Sequence, residues 1–176
     1  MDYIYIGKLV NTHALKGEVR ILSDFEFKAK VFKINGVLYV GNKKEKVLIK
    51  SYRRHKSFDM VTFEGMESIN DVLRLKGLKV YVTKEELNLN DDEVLPEELL
   101  EMNVISNDKN YGKITEYRSD NGNKMIRVNN KFIPYNKDFI IKIDKENKNI
   151  YYRDIEVFLW ELFCFPEPMV LGRGSF

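Results

Sequence analysis

Short stretches rich in β-branched and aromatic residues, separated by turn residues, run through the first half of the chain. Residues of these types favour β-strands, because they pack well on a pleated, half-buried surface. Six stretches are predicted as strands: Tyr3–Val10, Gly17–Leu22, Gly36–Val40, Lys46–Tyr52, Phe58–Glu64 and Leu78–Thr83. Closing six short strands into a barrel removes their exposed edges, so this half is predicted to be a small six-stranded β-barrel.

One short helix is predicted just before the last of these strands. Ser68 has the character of an N-cap with Asp71 three residues on, and Gly77 is a plausible residue to follow the helix end. The apolar residues between them, Val72 and Leu75, are expected to plug the barrel.

Strand and turn patterning resumes in the second half of the chain. Six further strands are predicted: Met102–Ile105, Tyr111–Arg118, Met125–Val128, Lys131–Tyr135, Phe139–Ile143 and Asn149–Arg153. Asn121-Gly122 favours a hairpin, because both residue types tolerate the positive φ angles of a type I′ turn. The fold class expected is therefore all-β, with two small β-barrels in tandem.

Charge marks a boundary between the two halves. The formal net charge is only +2, but residues 1–84 carry 17 Lys/Arg against 9 Asp/Glu, whereas residues 85–101 carry eight acidic residues and no basic one. This acidic composition is typical of a solvated connector. The expected organisation is a barrel over residues 1–84, a linker over 85–101, a second barrel over 102–156 and an aromatic tail over 157–176.

Composition narrows the class of protein. Of the 176 residues 44% are hydrophobic and 32% charged, the balance of a soluble globular protein. One cysteine and two histidines exclude a disulfide framework or a Cys/His zinc site within one chain, and the common catalytic and nucleotide-binding motifs are missing. We expect a cytoplasmic, monomeric protein that is not an enzyme, does not bind a membrane, and uses no metal or cofactor.

A basic run lies where the turn after the fourth strand is expected. Arg53, Arg54, His55 and Lys56 there could contact phosphates, and Tyr52 or His55 could stack on an exposed base. The alternative is an ordinary solvated loop.

The turn between the first two strands holds the other histidine. His13 there is more typical of a capping or hydrogen-bonding residue than of a ligand. Gly17 is expected to serve a tight turn or a bulge.

Several short sequence motifs, in their order and spacing, resemble those of the RimM family of ribosome maturation factors. They are residues 6–20 (IGKLVNTHALKGEVR), 52–56 (YRRHK), 60–65 (MVTFEG), 70–77 (NDVLRLKG), 111–114 (YGKI), 132–135 (FIPY) and 138–144 (DFIIKID). The resemblance covers about residues 3–156. It implies a translation-factor-like N-terminal barrel and a C-terminal barrel of the PRC type.

The resemblance also implies a function. The family binds the free small ribosomal subunit near its head, contacts the nineteenth small-subunit ribosomal protein, and aids maturation and rRNA processing without catalysis. The candidate contacts to RNA or ribosome are then Lys16, Arg20, Arg53, Arg54, His55 and Lys56. The candidate contacts to the ribosomal protein are Val94, Leu95, Ile133 and Pro134, where Val94-Leu95 replaces a tyrosine pair of the family.

Two other classes of function compete with this interpretation. The barrel and basic run alone would suit a general RNA-binding or translation-factor-like module. The aromatic tail, which holds Trp160 and Cys164, would suit a membrane-associated or scaffolding protein, and it could equally cover a barrel face or form a partner-binding strand.

Overall fold

The computed structural model describes residues 2–13 and 15–159, and it divides the chain into two units, residues 1–89 and 90–176. The first unit is a closed barrel of six strands in the order β1-β2-β5-β4-β3-β6. The strands are β1 (Tyr3–His13), β2 (Glu18–Leu22), β3 (Val37–Val40), β4 (Glu45–His55), β5 (Phe58–Phe63) and β6 (Lys79–Thr83). The predicted barrel is confirmed, with each strand close to its predicted position.

The barrel interior is filled by alternate residues of every strand. Val19 and Ile21 of β2 face Val61 and its neighbours of β5 and are fully buried, whereas Glu18 and Arg20 point outward. Each pair of neighbouring strands therefore buries one apolar face, which stabilises the closed sheet.

Two short helices accompany the barrel strands, with a third at the end of the unit. They are α1 (Lys28–Val31), α2 (Ile69–Val72) and α3 (Lys84–Leu87). The predicted plug is confirmed: the Asp71 carboxylate accepts a hydrogen bond of 3.0 Å from the N–H of Ser68 at the start of α2, and Val72, together with Leu75 of the 3₁₀ turn that follows, is fully buried. No helix in the described part of the chain is long and apolar enough to span a membrane.

The second unit contains two small sheets around one core. The strands are β7 (Asn103–Ser106), β8 (Lys109–Lys113), β9 (Glu116–Asp120), β10 (Asn123–Val128), β11 (Lys131–Pro134), β12 (Ile140–Asp144) and β13 (Asn149–Tyr152). One sheet has the order β11-β10-β9 and the other β12-β13-β7-β8, with β13 and β7 parallel. The all-β class with tandem barrel-like units is confirmed, although hydrogen bonding closes a complete barrel only in the first unit.

The predicted single strand Tyr111–Arg118 is wrong, because the chain leaves one sheet and enters the other within it. Ile114 bonds through its N–H to the carbonyl of Met102, while the next N–H, that of Thr115, bonds to the carbonyl of Arg127. Ile114 is buried at the crossing point. The hairpin turn at Asn121-Gly122 is confirmed, with φ angles of 49° and 86°.

The acidic segment is not the solvated connector that its composition suggested. Its first residues form α3 and belong to the first unit, and its remainder belongs to the second unit, where α4 (Pro96–Leu99) lies. Leu87, Val94, Leu95 and Leu99 are each at most 4% exposed. The acidic side chains of this segment surround apolar ones that are buried, so the segment is part of two cores.

A last helix, α5 (Glu156–Leu159), ends the described part of the chain. Glu156 accepts a hydrogen bond of 2.7 Å from the hydroxyl of Tyr111. The aromatic tail predicted from residue 157 lies outside the described residues from position 160 onward.

Candidate nucleic-acid interface

The predicted basic run lies at the end of a strand and not in a loop. β4 continues to His55, and only Lys56 and Ser57 form the turn to β5. Lys56 adopts a φ of 55° there. The prediction that all four basic residues occupy the turn is therefore wrong, because strand pairing extends through the first three.

A β-bulge in β4 decides where the arginines point. The register with β5 shifts between Ile49 and Ser51, so the residues that follow change sides of the sheet. Arg53 faces Met60 on the outer side of the barrel, whereas Arg54 faces Asp59, which belongs to the inward-pointing set. The two neighbouring arginines thus lie on opposite sides of the sheet.

The outer surface of β1, β2, β5 and β4 holds three of the six predicted RNA contacts, Arg20, Arg53 and His55. Arg20, Met60 and Arg53 form one row across three strands, because Arg20 and Arg53 each face Met60. The set made of His13, Glu18, Arg20, Phe58, Met60, Arg53 and His55 is called the arginine face below. Met60 is 1% exposed although it lies on the outer side, so the two arginines and their partners cover it.

Glu18 holds Arg53 in a fixed orientation. Nε and Nη2 of Arg53 donate to the two carboxylate oxygens of Glu18, both at 2.7 Å. This two-bond pairing fixes the guanidinium plane. The Arg53 guanidinium, with weaker help from His13 and Arg20, holds the pKa of Glu18 below its ordinary value.

Arg20 is held by a histidine and a ring. Its Nη2 lies 2.8 Å from His13 Nδ1, and its guanidinium carbon lies 5.8 Å from the Phe58 ring centroid. The prediction that His13 is a hydrogen-bonding residue agrees with this contact. Arg20 Nε is buried and finds no partner among the described residues.

The mouth of the barrel beside this face holds a buried ion pair. Lys28 Nζ lies 2.9 Å from Asp59, whose side chain is 1% exposed, and the hydroxyl of Tyr52 donates to the same carboxylate at 3.0 Å. Arg54 is exposed and belongs to this mouth. The remaining predicted residues, Lys16 and Lys56, are exposed in turns near the arginine face.

The second group of predicted residues lies mostly inside the second unit. Val94 and Ile133 belong to its core cluster, and Leu95 is 4% exposed. Pro134 is only partly buried, and its carbonyl accepts a hydrogen bond from Tyr152. This geometry does not support direct contact of Val94, Leu95 or Ile133 with a partner, because those side chains are buried in the protein.

Titration of Glu18 is a simple test of its pairing with Arg53. Because the folded pKa of Glu18 is lowered, the pair stabilises the fold above the unfolded pKa of about 4.3, and this contribution disappears as the pH falls through the folded pKa. We expect Glu18→Gln to lower the melting temperature by a few degrees at most at pH 7 and to have no effect near pH 2. Thermal unfolding from pH 2 to 8 measures this.

The matched control for that experiment is Glu64→Gln, the same chemical change at an exposed position outside the arginine face. A difference between Glu18→Gln and the unsubstituted protein that persists unchanged to pH 2 would show that the carboxylate charge is not responsible.

A small, closed β-barrel with arginines fixed on one outer side, followed by a barrel-like second unit of two sheets, defines the class as an all-β protein of two tandem barrel-like units. The family model that matches is "RimM N-terminal domain", over residues 4–87. "Ribosome maturation factor RimM" of Ligilactobacillus salivarius is 38% identical over 159 residues, which are 85% of this chain and 95% of that protein. The protein of the same name from Geobacillus thermodenitrificans is 35% identical over 162 residues, 86% of this chain and 93% of that one.

The chain therefore belongs to the RimM family, and its role is that of a ribosome maturation factor. Among solved structures, the N-terminal domain of RimM from Thermus thermophilus is similar to 51% of this chain and 98% of that one, with a TM-score of 0.42 and 21% identity. The family assignment rests on the sequence relatives.

Proposed function

We propose that this protein binds the free small ribosomal subunit near its head during maturation and assists rRNA processing without catalysing a reaction. It would act in the cytoplasm, as a monomer, without a cofactor. The observation that supports this most is the arginine face, where two guanidinium groups are held in defined orientations beside exposed Lys16, Arg54 and Lys56.

A phosphate would approach the arginine face through the exposed part of Arg53. Arg53 is half exposed although it is paired with Glu18, whose own side chain is 16% exposed. Oriented arginines recognise phosphate oxygens with less loss of side-chain freedom than mobile ones. RNA of the immature subunit is therefore the proposed partner of this face, with His55 at its edge.

The second unit is the proposed contact for the nineteenth small-subunit ribosomal protein. Because Val94, Leu95 and Ile133 are buried, exposed neighbours such as Leu100, 42% exposed, and the partly buried Pro134 are the surface available for it. Val94 and Leu95 would then act by holding α4 in place.

Arg53→Ala combined with Arg54→Ala is expected to weaken binding to free small subunits. It should also flatten the dependence of log K on log[salt] by up to about two, since each phosphate contact contributes roughly 0.9. Co-sedimentation with free small subunits, large subunits and joined ribosomes over a salt series measures both effects.

Lys33→Ala combined with Lys113→Ala is the matched control, because it removes two charges from exposed positions outside the arginine face. Binding that is equally weak in both double variants would show that only overall charge matters. Comparable affinity for unrelated duplex RNA would instead favour a general RNA-binding module.

A further inference from the structure

Another side of the first barrel carries a row of tyrosines that the arginine face does not include. On the outer side of β1, β6 and β3, Tyr5 faces Tyr81, and Tyr81 faces Tyr39. Lys46 of β4 continues the same row beyond Tyr39. Four strands thus hold three aromatic rings and a lysine in register, with Tyr39 only 7% exposed, while the neighbouring row of valines, Val80 and Val40, fills the interior.

Rings of this row pack edge to face with each other and with Tyr3, which lies beside the row. Tyr5 and Tyr81 have centroids 6.0 Å apart at 72°, and Tyr3 and Tyr39 have centroids 5.1 Å apart at the same angle. Tyr39 is anchored, since its hydroxyl donates to Glu86 at 2.9 Å. Tyr5 is 53% exposed, so its ring is the one that a ligand can reach.

Lysines are interleaved with these rings. Lys44 Nζ lies 3.0 Å from the ring centroid of Tyr81 and 5.4 Å from that of Tyr3, and Lys79 Nζ lies 5.9 Å from that of Tyr5. Lys79 faces Lys8 of β1, which is exposed. Glu86, which accepts from both Tyr39 and Thr83, places its carboxylate beside Tyr39, two strands away from Tyr5.

A single exposed ring on a protein surface means little. Proteins that bind single-stranded nucleic acids, however, combine aromatic rings with neighbouring basic side chains. The bases stack on the rings, and the lysines contact the phosphates. A duplex would not fit this arrangement, because the faces of its bases are hidden in its own stack. An acidic peptide would use the lysines and leave the exposed Tyr5 ring without a role.

We propose that the tyrosine–lysine face, made of Tyr5, Tyr81, Tyr39, Lys44, Lys46, Lys79 and Lys8, binds a single-stranded segment of RNA. A base stacks on Tyr5, and Lys79 and Lys8 contact the adjoining phosphates. This face shares strands β1 and β4 with the arginine face but none of its residues. This binding site is therefore additional to the proposed contact through the arginines, and it can be tested independently of that contact.

The experiment is fluorescence anisotropy of the full chain with a labelled oligouridylate of about 12 nucleotides, within the range of site sizes for single-strand binders. Tyr5→Ala is expected to weaken binding about fivefold or more, the loss typical of one stacked base. Tyr5→Phe, which keeps the ring, should stay within about twofold of the unsubstituted protein. The double variant Arg53→Ala with Arg54→Ala should also bind within about twofold of the unsubstituted protein.

Each contrary outcome overturns the proposal. These are no saturable binding to the oligouridylate, no effect of Tyr5→Ala, an equal loss in Tyr5→Phe, or competition by polyglutamate or duplex RNA as strong as by unlabelled single strand. If Tyr5→Ala does not melt like the unsubstituted protein, Lys79→Gln replaces it and should reduce the salt slope by about 0.7. Sedimentation with small subunits that depends on Arg53 and Arg54, without oligouridylate binding, would leave the proposed function standing and remove this inference alone.

Discussion

Gly17→Ala should lower the free energy of unfolding by about 3 kcal/mol, the largest effect expected for so small a change. Gly17 has a φ of +72°, in the left-handed region that disfavours a β-carbon. A β-carbon built there would also lie 2.4 Å from the carbonyl oxygen of Met66. That oxygen belongs to the backbone, so the contact cannot be relieved by rotating a side chain.

Gly65→Ala is the control that separates these two causes. Gly65 has the same φ of +72°, but nothing lies within 4 Å of the position its β-carbon would take. It should therefore lose only about 1 kcal/mol, the cost of the backbone conformation. Urea or thermal unfolding measures the stability of both variants. Equal losses of unfolding free energy would mean that the segment around Met66 moves aside without a free-energy penalty.

The crowding at Gly17 bears on the arginine face as well as on stability. Gly17 immediately precedes β2, whose first and third residues are Glu18 and Arg20. The carbonyl of Leu15 meanwhile accepts from the N–H of Ile69, so this turn is joined to the start of α2. The turn thus fixes where β2 begins and, with it, which side of the barrel Glu18 and Arg20 occupy.

Most of the barrel could be predicted because its strands are short runs of β-branched and aromatic residues between turns, and some of these runs also alternate clearly. Val19 and Ile21, for example, alternate with charged residues, and such a pattern has one solution on a half-buried strand. The bulge after Ile49 could not be predicted, because the residues that follow it are polar or, like Tyr52, amphipathic and suit either face. Without the bulge, strict alternation places Arg54 on the outer side and Arg53 on the inner side, the reverse of what the structure shows.

The pairings within the arginine face needed the register of the closed barrel. Glu18 and Arg53 are 35 residues apart and lie on β2 and β4, which are separated in the barrel by β5. Nothing in the sequence marks this pair. The exposed basic run was visible in the sequence, but the carboxylate that orients one of its arginines was not.

The acidic segment was misjudged because its average composition concealed a helical pattern. Leu95, Leu99 and Met102 recur at intervals of four and three, the spacing of one helix face, and Pro96 stands at a first helical position. The acidic residues near these positions, Glu97, Glu98 and Glu101, are compatible with a buried apolar stripe, since none of the three is buried. Charge density alone therefore does not mark a linker.

Leu99→Ala tests directly whether this segment belongs to the second unit's core. Leu99 is 1% exposed and belongs to the cluster that contains Val104, Ile126 and Ile150. Truncating a leucine at such a site leaves a cavity, so the variant should lose about 2–4 kcal/mol of unfolding free energy. In a solvated linker the same change would cost less than about 0.5 kcal/mol.

Leu100→Ala makes the same chemical change one residue later, at a side chain that is 42% exposed, and should stay within about 0.5 kcal/mol of the unsubstituted protein. Hydrogen exchange at the amides of β7 and β10 reports on the second unit itself, so an effect confined to the first barrel cannot be mistaken for it. Protection in Leu99→Ala that matches Leu100→Ala would mean that α4 does not support this core. A loss in Leu99→Ala alone would mean that the acidic segment holds the second unit together, and that substitutions at Val94 or Leu95 act on a partner contact only through the position of α4.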